Sequence, residues 1–232
     1  MLKWRIILDN IYLLDDNMDI HFIQRSKKYK KSFAYEFTKR AIDIFASLAA
    51  LICLSPIMIV IIILIKIDSR GPVIFSQNRV GKNGKIFKMY KFRSMVINAE
   101  DLLKELKSKN EMSGPMFKIK HDPRVTKIGR FIRKTSLDEL PQLINVLKGD
   151  MSLVGPRPNL PKEVREFDKW MLDKLVIKPG LTCFWQVMGR NSIGFVQWMN
   201  LDIEYVEKRS LKLDIILIFK TIRVLFGDNT AS

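Results

Sequence analysis

Cysteine and histidine are scarce in this chain, with two of each in 232 residues. Cys53 lies inside a greasy run and Cys183 stands far from it, so no disulfide framework is expected and a reducing compartment fits. His21 and His121 have no clustered Cys or His at metal-ligand spacing, which leaves a structural zinc site without support. There is no internal repeat and no low-complexity tract. The first apolar stretch is interrupted by Asp9, Asn10, Asp15 and Asp16, and no small-residue cleavage pattern follows, so a cleavable signal is not expected. Acid is also in short supply: Asp and Glu total 24 against 40 Lys and Arg, a formal net charge of +16. That surplus asks for an anionic partner, either nucleic acid, acidic lipid or a phosphorylated substrate. The 47% hydrophobic content excludes a disordered basic tail as the whole explanation.

What is abundant is apolar sequence in one place. From Ile44 to Ile65 the chain is almost wholly apolar, broken only by Ser47 and by Ser55-Pro56. A straight helix of about 22 residues reaches about 33 Å, enough for a hydrocarbon core of about 30 Å. Pro56 removes a backbone donor near the middle, and Ser55 can lend its hydroxyl to the carbonyl left over. Lys39 and Arg40 precede the run and Lys66 and Arg70 follow it, so neither flank is the poorly charged side that a simple crossing prefers. A helix bent at Ser55-Pro56 that enters and leaves on one side satisfies both flanks; a kinked crossing is the alternative.

The organisation reads as a basic leader over residues 1–35, a membrane helix over 36–70, a larger domain over 71–226 and a tail over 227–232. Runs around Val73 to Phe75 and Ile86 to Tyr90, separated by a Gly81-to-Gly84 turn, predict a small hairpin. Helical patterns follow over Ala99 to Lys109, Leu140 to Leu147, Lys162 to Leu175, Gln197 to Lys208 and Leu213 to Phe226. The last mixes Lys220 and Arg223 into an apolar face, as an interfacial helix or a core-packed one would.

Two clusters can carry chemistry. Asp138 and Glu139 are adjacent carboxylates just after Arg130, Arg133 and Lys134. Ser136 and Glu139 have capping-box spacing, a purely structural reading. Pro141 opposes it, because a helix starting at Ser136 would put Pro141 where a backbone N–H is needed. A later start places Pro141 in the tolerant first turn and leaves Asp138 and Glu139 near the positive end of the dipole. An ionised Asp there is suited to act as nucleophile or to hold a hard cation. The second cluster is cationic: Lys91 and Arg93 after the hairpin, then Arg124, Lys127, Arg130 and Arg133 at loose helical spacing, Arg157 in a Gly-Pro-Arg-Pro turn, and Arg190 after a glycine. Guanidinium forks match phosphate oxygens in pairs. A nucleic-acid face offers similar charge, but no nucleic-acid-binding motif accompanies it and nucleic acid is not an expected partner.

These stretches resemble the bacterial sugar transferase family, the monotopic phosphoglycosyl transferases. The resemblance runs from about Tyr35 to Phe226 and rests on an ordered series. It comprises Lys39-Arg40 with Asp43, Ser55-Pro56, Gly71-Pro72 with Phe75, Gln77 and Arg79, and Lys91-Phe92-Arg93-Ser94-Met95. It continues with Asp122-Pro123-Arg124, Ser136 through Asn145, Lys148 through Ser152, Gly155 through Pro158, Lys178 through Thr182, and Gly189-Arg190. Cys183 departs from the glycine usual in the Pro-Gly-x-Thr-Gly run, and His121 reads as a loop histidine.

The resemblance implies an α+β, helix-dominated fold. It has a re-entrant membrane helix bent at Ser55-Pro56, a small hairpin, and amphipathic interfacial helices around an active site on the cytoplasmic face. It implies Asp138 as nucleophile with Glu139 beside it, attack on a UDP-sugar, release of UMP, and passage of the phosphosugar to undecaprenyl phosphate. Mg²⁺ is implied beside Asp138. Lys91, Arg93, Arg133, Arg157 and Arg190 are the implied phosphate-facing cations, and Asp202 matches a polar site position. The Phe117-to-Lys120 stretch looks most like members that use UDP-glucose or UDP-galactose. A catalytically silent, membrane-tethered protein of the same fold is the alternative.

Overall fold

The structure is a computed structural model and describes residues 27–106, 119, 122–188 and 193–227. Helix α1, Phe33–Asp68, holds 36 residues and carries the whole apolar run. Ser32 caps it, its Oγ accepting from the Tyr35 N–H at 3.2 Å. The helix continues through Pro56, whose missing N–H would have bonded the Ile52 carbonyl. The Ser55 hydroxyl donates to that same Ile52 oxygen at 2.8 Å, so the carbonyl is not left orphaned. Only 11% of the most apolar 18-residue stretch is buried in the protein, which is unlike the core helix of a globular domain. Phe45, Ile52, Ile59 and Val60 are exposed along it.

Both ends of α1 pack on the same body. Near its start, Lys39 Nζ donates to the Val154 carbonyl and pairs with Asp214 at 2.9 Å, and Asp43 accepts from Ser152 Oγ and the Leu153 N–H. Near its end, Ile61 and Ile65 join Phe92 and Ile132 in one buried cluster, and Asp68 accepts from the Ile128 N–H at 3.1 Å.

The hairpin pairs β1 (Ile74–Val80) with β2 (Ile86–Phe92), from Ile74 opposite Phe92 to Val80 opposite Ile86. Asn83 and Gly84 at the turn both have positive φ, 54° and 78°, the Asn-Gly pair that a tight hairpin reversal favours. Helix α2 (Ala99–Leu106) follows, then α3 (Lys127–Lys134), whose N-cap Thr126 accepts from the Gly129 N–H. Three of the loosely spaced cations, Lys127, Arg130 and Arg133, thus lie on one helix that periodicity alone did not assign, while Arg124 precedes it. After a single 3₁₀ turn, Leu137–Glu139, comes α4 (Gln142–Lys148). Asn145 staples α4 to the hairpin, accepting from the Tyr90 N–H and donating to the Lys88 carbonyl.

Beyond α4 the expected long helix over Lys162 to Leu175 is absent. In its place stand a one-turn helix α5 (Pro161–Val164) and 3₁₀ turns over Lys169–Val176. Phe167, between them, packs against two core clusters at once, and that packing overrides the helical period. Two three-residue strands, β3 (Ser152–Val154) and β4 (Gly180–Thr182), pair in parallel and went unannounced because so few residues show no alternation. The chain closes with α6 (Phe184–Val187), α7 (Phe195–Lys208) and α8 (Leu211–Gly227). On α8 Leu217 is buried, while Ile215, Phe219 and Ile222 are exposed.

Candidate active site

The polypeptide between α3 and α4 reverses sharply. Ser136 adopts left-handed backbone geometry (φ 56°) and the 3₁₀ turn Leu137–Glu139 follows. Residues i and i+3 of such a turn eclipse, and Leu137 and Leu140 both pack against the Ile61, Ile65, Phe92 and Ile132 cluster. Asp138 and Glu139 lie between these two leucines. Helix α4 begins at Gln142 with Pro141 as its N-cap, as the late-start reading expects. Glu139 does not turn back on Ser136 to close a capping box; its carboxylate accepts from Lys91 Nζ at 2.8 Å and from Arg157 at 3.3 Å.

Lys91 also stands 3.9 Å from Asp138 Oδ2. Arg133 comes off the last turn of α3, its Nε donating to Ser94 Oγ at 2.8 Å. Its charge acts on Asp138. The Arg157 guanidinium lies 5.4 Å from the Trp185 ring centroid, within cation–π range. The fold therefore brings together Asp138, Glu139, Lys91, Arg133 and Arg157.

The electrostatics differ from the sequence expectation at one point. Burial pushes Glu139 up, but Lys91 and Arg157 outweigh it and hold its carboxyl well below the ordinary range. Asp138 goes the other way: burial raises it and the Glu139 charge adds to that, against Lys91, Arg133 and Arg157. The helix dipole does not decide the matter, since α4 is only seven residues long and starts beyond both carboxylates. Glu139 is the firmly charged member of the pair, and Asp138 is held closer to neutrality.

Two expected residues fall elsewhere. Arg93 is buried at the exit of α1, donating to the Ser69 and Arg70 carbonyls at 2.6 and 2.7 Å and to Ser69 Oγ. A Cβ at Gly71 (φ 117°) would collide with that guanidinium, so Gly71 is where the backbone makes room for it. Asp202 is fully buried in an ion pair with Lys174 at 2.6 Å. Burial raises its carboxyl, opposed by Lys174 and by the charge and backbone N–H of Arg157. Arg190 lies outside the described residues, as do His121, Phe117, Lys118 and Lys120.

Trp185 and Lys174 went unnoticed in the sequence. One aromatic in an apolar run and one lysine in a lysine-rich chain carry no local signal.

Among the described residues no three His, Cys, Asp or Glu side chains converge on a metal position. Asp138 is nevertheless the one carboxylate in this cluster that accepts no hydrogen bond from a described residue. Mg²⁺ characteristically takes one or two carboxylates plus substrate phosphate oxygens, and a single Asp beside Lys91, Arg133 and Arg157 fits that pattern.

An acidic pair among three cations thus stands on the same body that a largely uncovered apolar helix joins at both its ends. The profile of the bacterial sugar transferase family matches residues 34–228, and the chain belongs to that family. It is 47% identical over 204 residues to the galactosyl transferase CpsE of Streptococcus agalactiae serotype III, covering 88% of this chain and 45% of the relative. It is 48% identical over 193 residues to an undecaprenyl-phosphate galactose phosphotransferase of Salmonella typhimurium, covering 82% of this chain and 40% of that one. The exopolysaccharide production protein ExoY of Sinorhizobium fredii is 39% identical over 189 residues, 80% of this chain and 84% of its own length. The chain thus spans less than half the length of the first two relatives.

Proposed function

We propose that this protein transfers a hexose-1-phosphate from a UDP-sugar, UDP-glucose or UDP-galactose, to undecaprenyl phosphate at the cytoplasmic face of the bacterial membrane. That is the first membrane step in building a surface polysaccharide. One observation carries the reading: Asp138 accepts no hydrogen bond from a described residue yet lies among Lys91, Arg133 and Arg157, while Leu137 and Leu140 on either side of the pair pack on the cluster that includes Ile61 and Ile65 of the apolar helix. The names of the relatives from Salmonella and Streptococcus support a galactose-handling transferase and a polyprenyl phosphate acceptor.

The reaction divides into two displacements at phosphorus. A carboxylate oxygen of Asp138 attacks the phosphorus that carries the sugar, and the bond to the bridging oxygen breaks. UMP leaves with that oxygen and the bonding electrons, and the phosphosugar remains linked to Asp138. An oxygen of the polyprenyl phosphate then attacks the same phosphorus, the Asp138 carboxylate leaves, and the lipid-linked diphosphosugar is formed. Splitting the transfer avoids gathering two anionic substrates at once. Lys91, Arg133 and Arg157 offset the charge that builds on the phosphoryl oxygens, in a site screened little by water. Glu139 keeps Lys91 and Arg157 turned toward its neighbour. Mg²⁺, held by Asp138 and the diphosphate, would supply further charge neutralisation.

The membrane geometry belongs to the same reading. A crossing helix carries its ends to opposite faces of a core about 30 Å thick. The packing of Lys39 to Asp43 and of Ile61 to Asp68 on one body supports a helix that re-enters, with Pro56 at its bend. The positive surplus draws nucleotide sugar and anionic lipid to the same side. The test is a screen for Mg²⁺-dependent UMP release across UDP-sugars in the presence of undecaprenyl phosphate. Release with UDP-glucose or UDP-galactose is expected; silence with every UDP-sugar overturns the assignment in favour of an inactive tether.

A further inference from the structure

The loop from Gly155 to Asn159 presents Arg157 to Glu139, and its backbone is held at nearly every step. The Gly155 N–H donates to the Thr182 carbonyl at 2.9 Å, and the Gly180 N–H donates to the Pro156 carbonyl at 3.0 Å. Arg79 donates to the Pro158 carbonyl at 3.1 Å, and the Val80 N–H to the Asn159 carbonyl at 3.0 Å. Beneath this loop lies a buried ionic cluster that the proposed chemistry does not use. Lys174 Nζ sits 2.6 Å from Asp202 Oδ2, with both side chains shut off from solvent. The same ammonium donates to Asn159 Oδ1 at 2.6 Å and stands 4.8 Å from the Trp198 ring centroid. Asn159 in turn donates to Glu163, which also accepts from the Leu160 N–H. The Asp202 carboxylate lies near the backbone N–H of Arg157 without a well-formed hydrogen bond to it.

Burying an ion pair is expensive in desolvation, and apolar residues of similar volume commonly do as well or better for stability. Stability alone is therefore a poor reason for Lys174 and Asp202 to meet in this core. Their contacts have a common direction: Lys174 fixes Asn159, two residues beyond Arg157, and Asp202 lies beside the Arg157 backbone. We propose that Lys174, through Asp202 and Asn159, is a positioning residue that sets the Arg157 guanidinium against Glu139. The proposal rests on the transferase reading for its effect on rate, and on the loop geometry alone for its effect on order.

Removing one charge would strand the other in the core, so the informative variant is Lys174→Met combined with Asp202→Leu. The full-length protein in detergent is expected to keep its size and helix content. Its kcat/KM for UMP release is expected to fall about 100-fold, the scale of a reacting group displaced by about an ångström. Adding Arg157→Met is expected to cost nothing beyond Arg157→Met alone, because both changes remove the same interaction. Amide exchange is expected to rise across 155–159 while the 86–92 strand stays protected. Wild-type kcat/KM, a loss that multiplies with that of Arg157→Met, or unchanged exchange in the loop would each overturn the proposal. Should the paired variant fail to fold, Asn159→Ala decides by the same three criteria with the ion pair intact. If the wild-type protein releases no UMP, the transferase reading falls, and loop exchange still decides whether the cluster holds Arg157's backbone in place.

Discussion

Lys91 donates to Glu139 at 2.8 Å but stands 3.9 Å from Asp138, so one ammonium is shared unequally between two neighbouring carboxylates. The member it binds tightly is fixed as an anion. The other accepts no hydrogen bond from a described residue, as suits the nucleophile proposed above. Replacing Asp138 with Asn removes that oxygen nucleophile at nearly constant shape. UMP release is expected to fall by about 10⁴-fold or more, with the thermal midpoint close to wild type, as followed by scanning fluorimetry.

Glu139→Gln acts differently. It leaves Asp138 in place but weakens the hold on Lys91 and Arg157. Turnover is expected to drop by roughly 100-fold, the usual cost of losing one oriented charge-stabilising group, with KM for the nucleotide sugar raised because Arg157 is no longer held in position. Steady-state kinetics at varied donor concentration separates this pattern from the loss in Asp138→Asn.

Topology is checked by labelling. Thr38 and Lys66 are exposed on either side of the apolar stretch, and Cys53 within it is exposed as well. In a Cys53→Ser background, Thr38→Cys and Lys66→Cys are each expected to resist an impermeant maleimide added to intact cells and to react after permeabilisation. Labelling of either one from outside would make α1 a crossing helix.

Acid should loosen the segment that leads into α3. Asp122 is paired with Arg124 at 2.6 Å, and Arg124 also holds the Ala99 carbonyl at the start of α2. Burial pushes the Asp122 carboxyl up, but the Arg124 side chain and backbone N–H outweigh it and bring it below the ordinary 3.8. A depressed carboxyl contributes stability above its unfolded value and loses it as pH falls through the folded one. Asp122→Asn is therefore expected to cost about 1–2 kcal/mol at neutral pH. Thermal melts should show the gap to wild type closing once the pH drops below 3.8.

Much of this architecture is legible in the residues, and the illegible parts have physical causes. The Gly81-to-Gly84 run announces the hairpin, and Asn83 and Gly84 within it supply the two positive-φ residues that a tight reversal needs. Pro141 marks the true start of α4, which in turn frees Glu139 from a capping role. Arg93 and Arg157 look alike in sequence, each basic and next to a turn, yet only Arg157 reaches the acidic pair. What separates them is the course of the chain after α1, which brings two carbonyls to Arg93 from 23 and 24 residues away. Asp202 was legible as important and not as buried, because its partner Lys174 comes from a stretch that looks like ordinary amphipathic helix. Strands of three residues carry too little pattern to be read at all.

Arg40 reaches out of α1 to hold the Val146 and Leu147 carbonyls at the last turn of α4, the helix that follows Asp138 and Glu139. The hydrophobic element is thus a structural part of the transferase body and not a detachable anchor. Trimming the gene to begin at Gly71 would uncover Phe92 and Ile132 and strip α4 of that clasp. No water-soluble enzyme is to be had by truncation, and purification must carry the greasy helix along in detergent or nanodiscs.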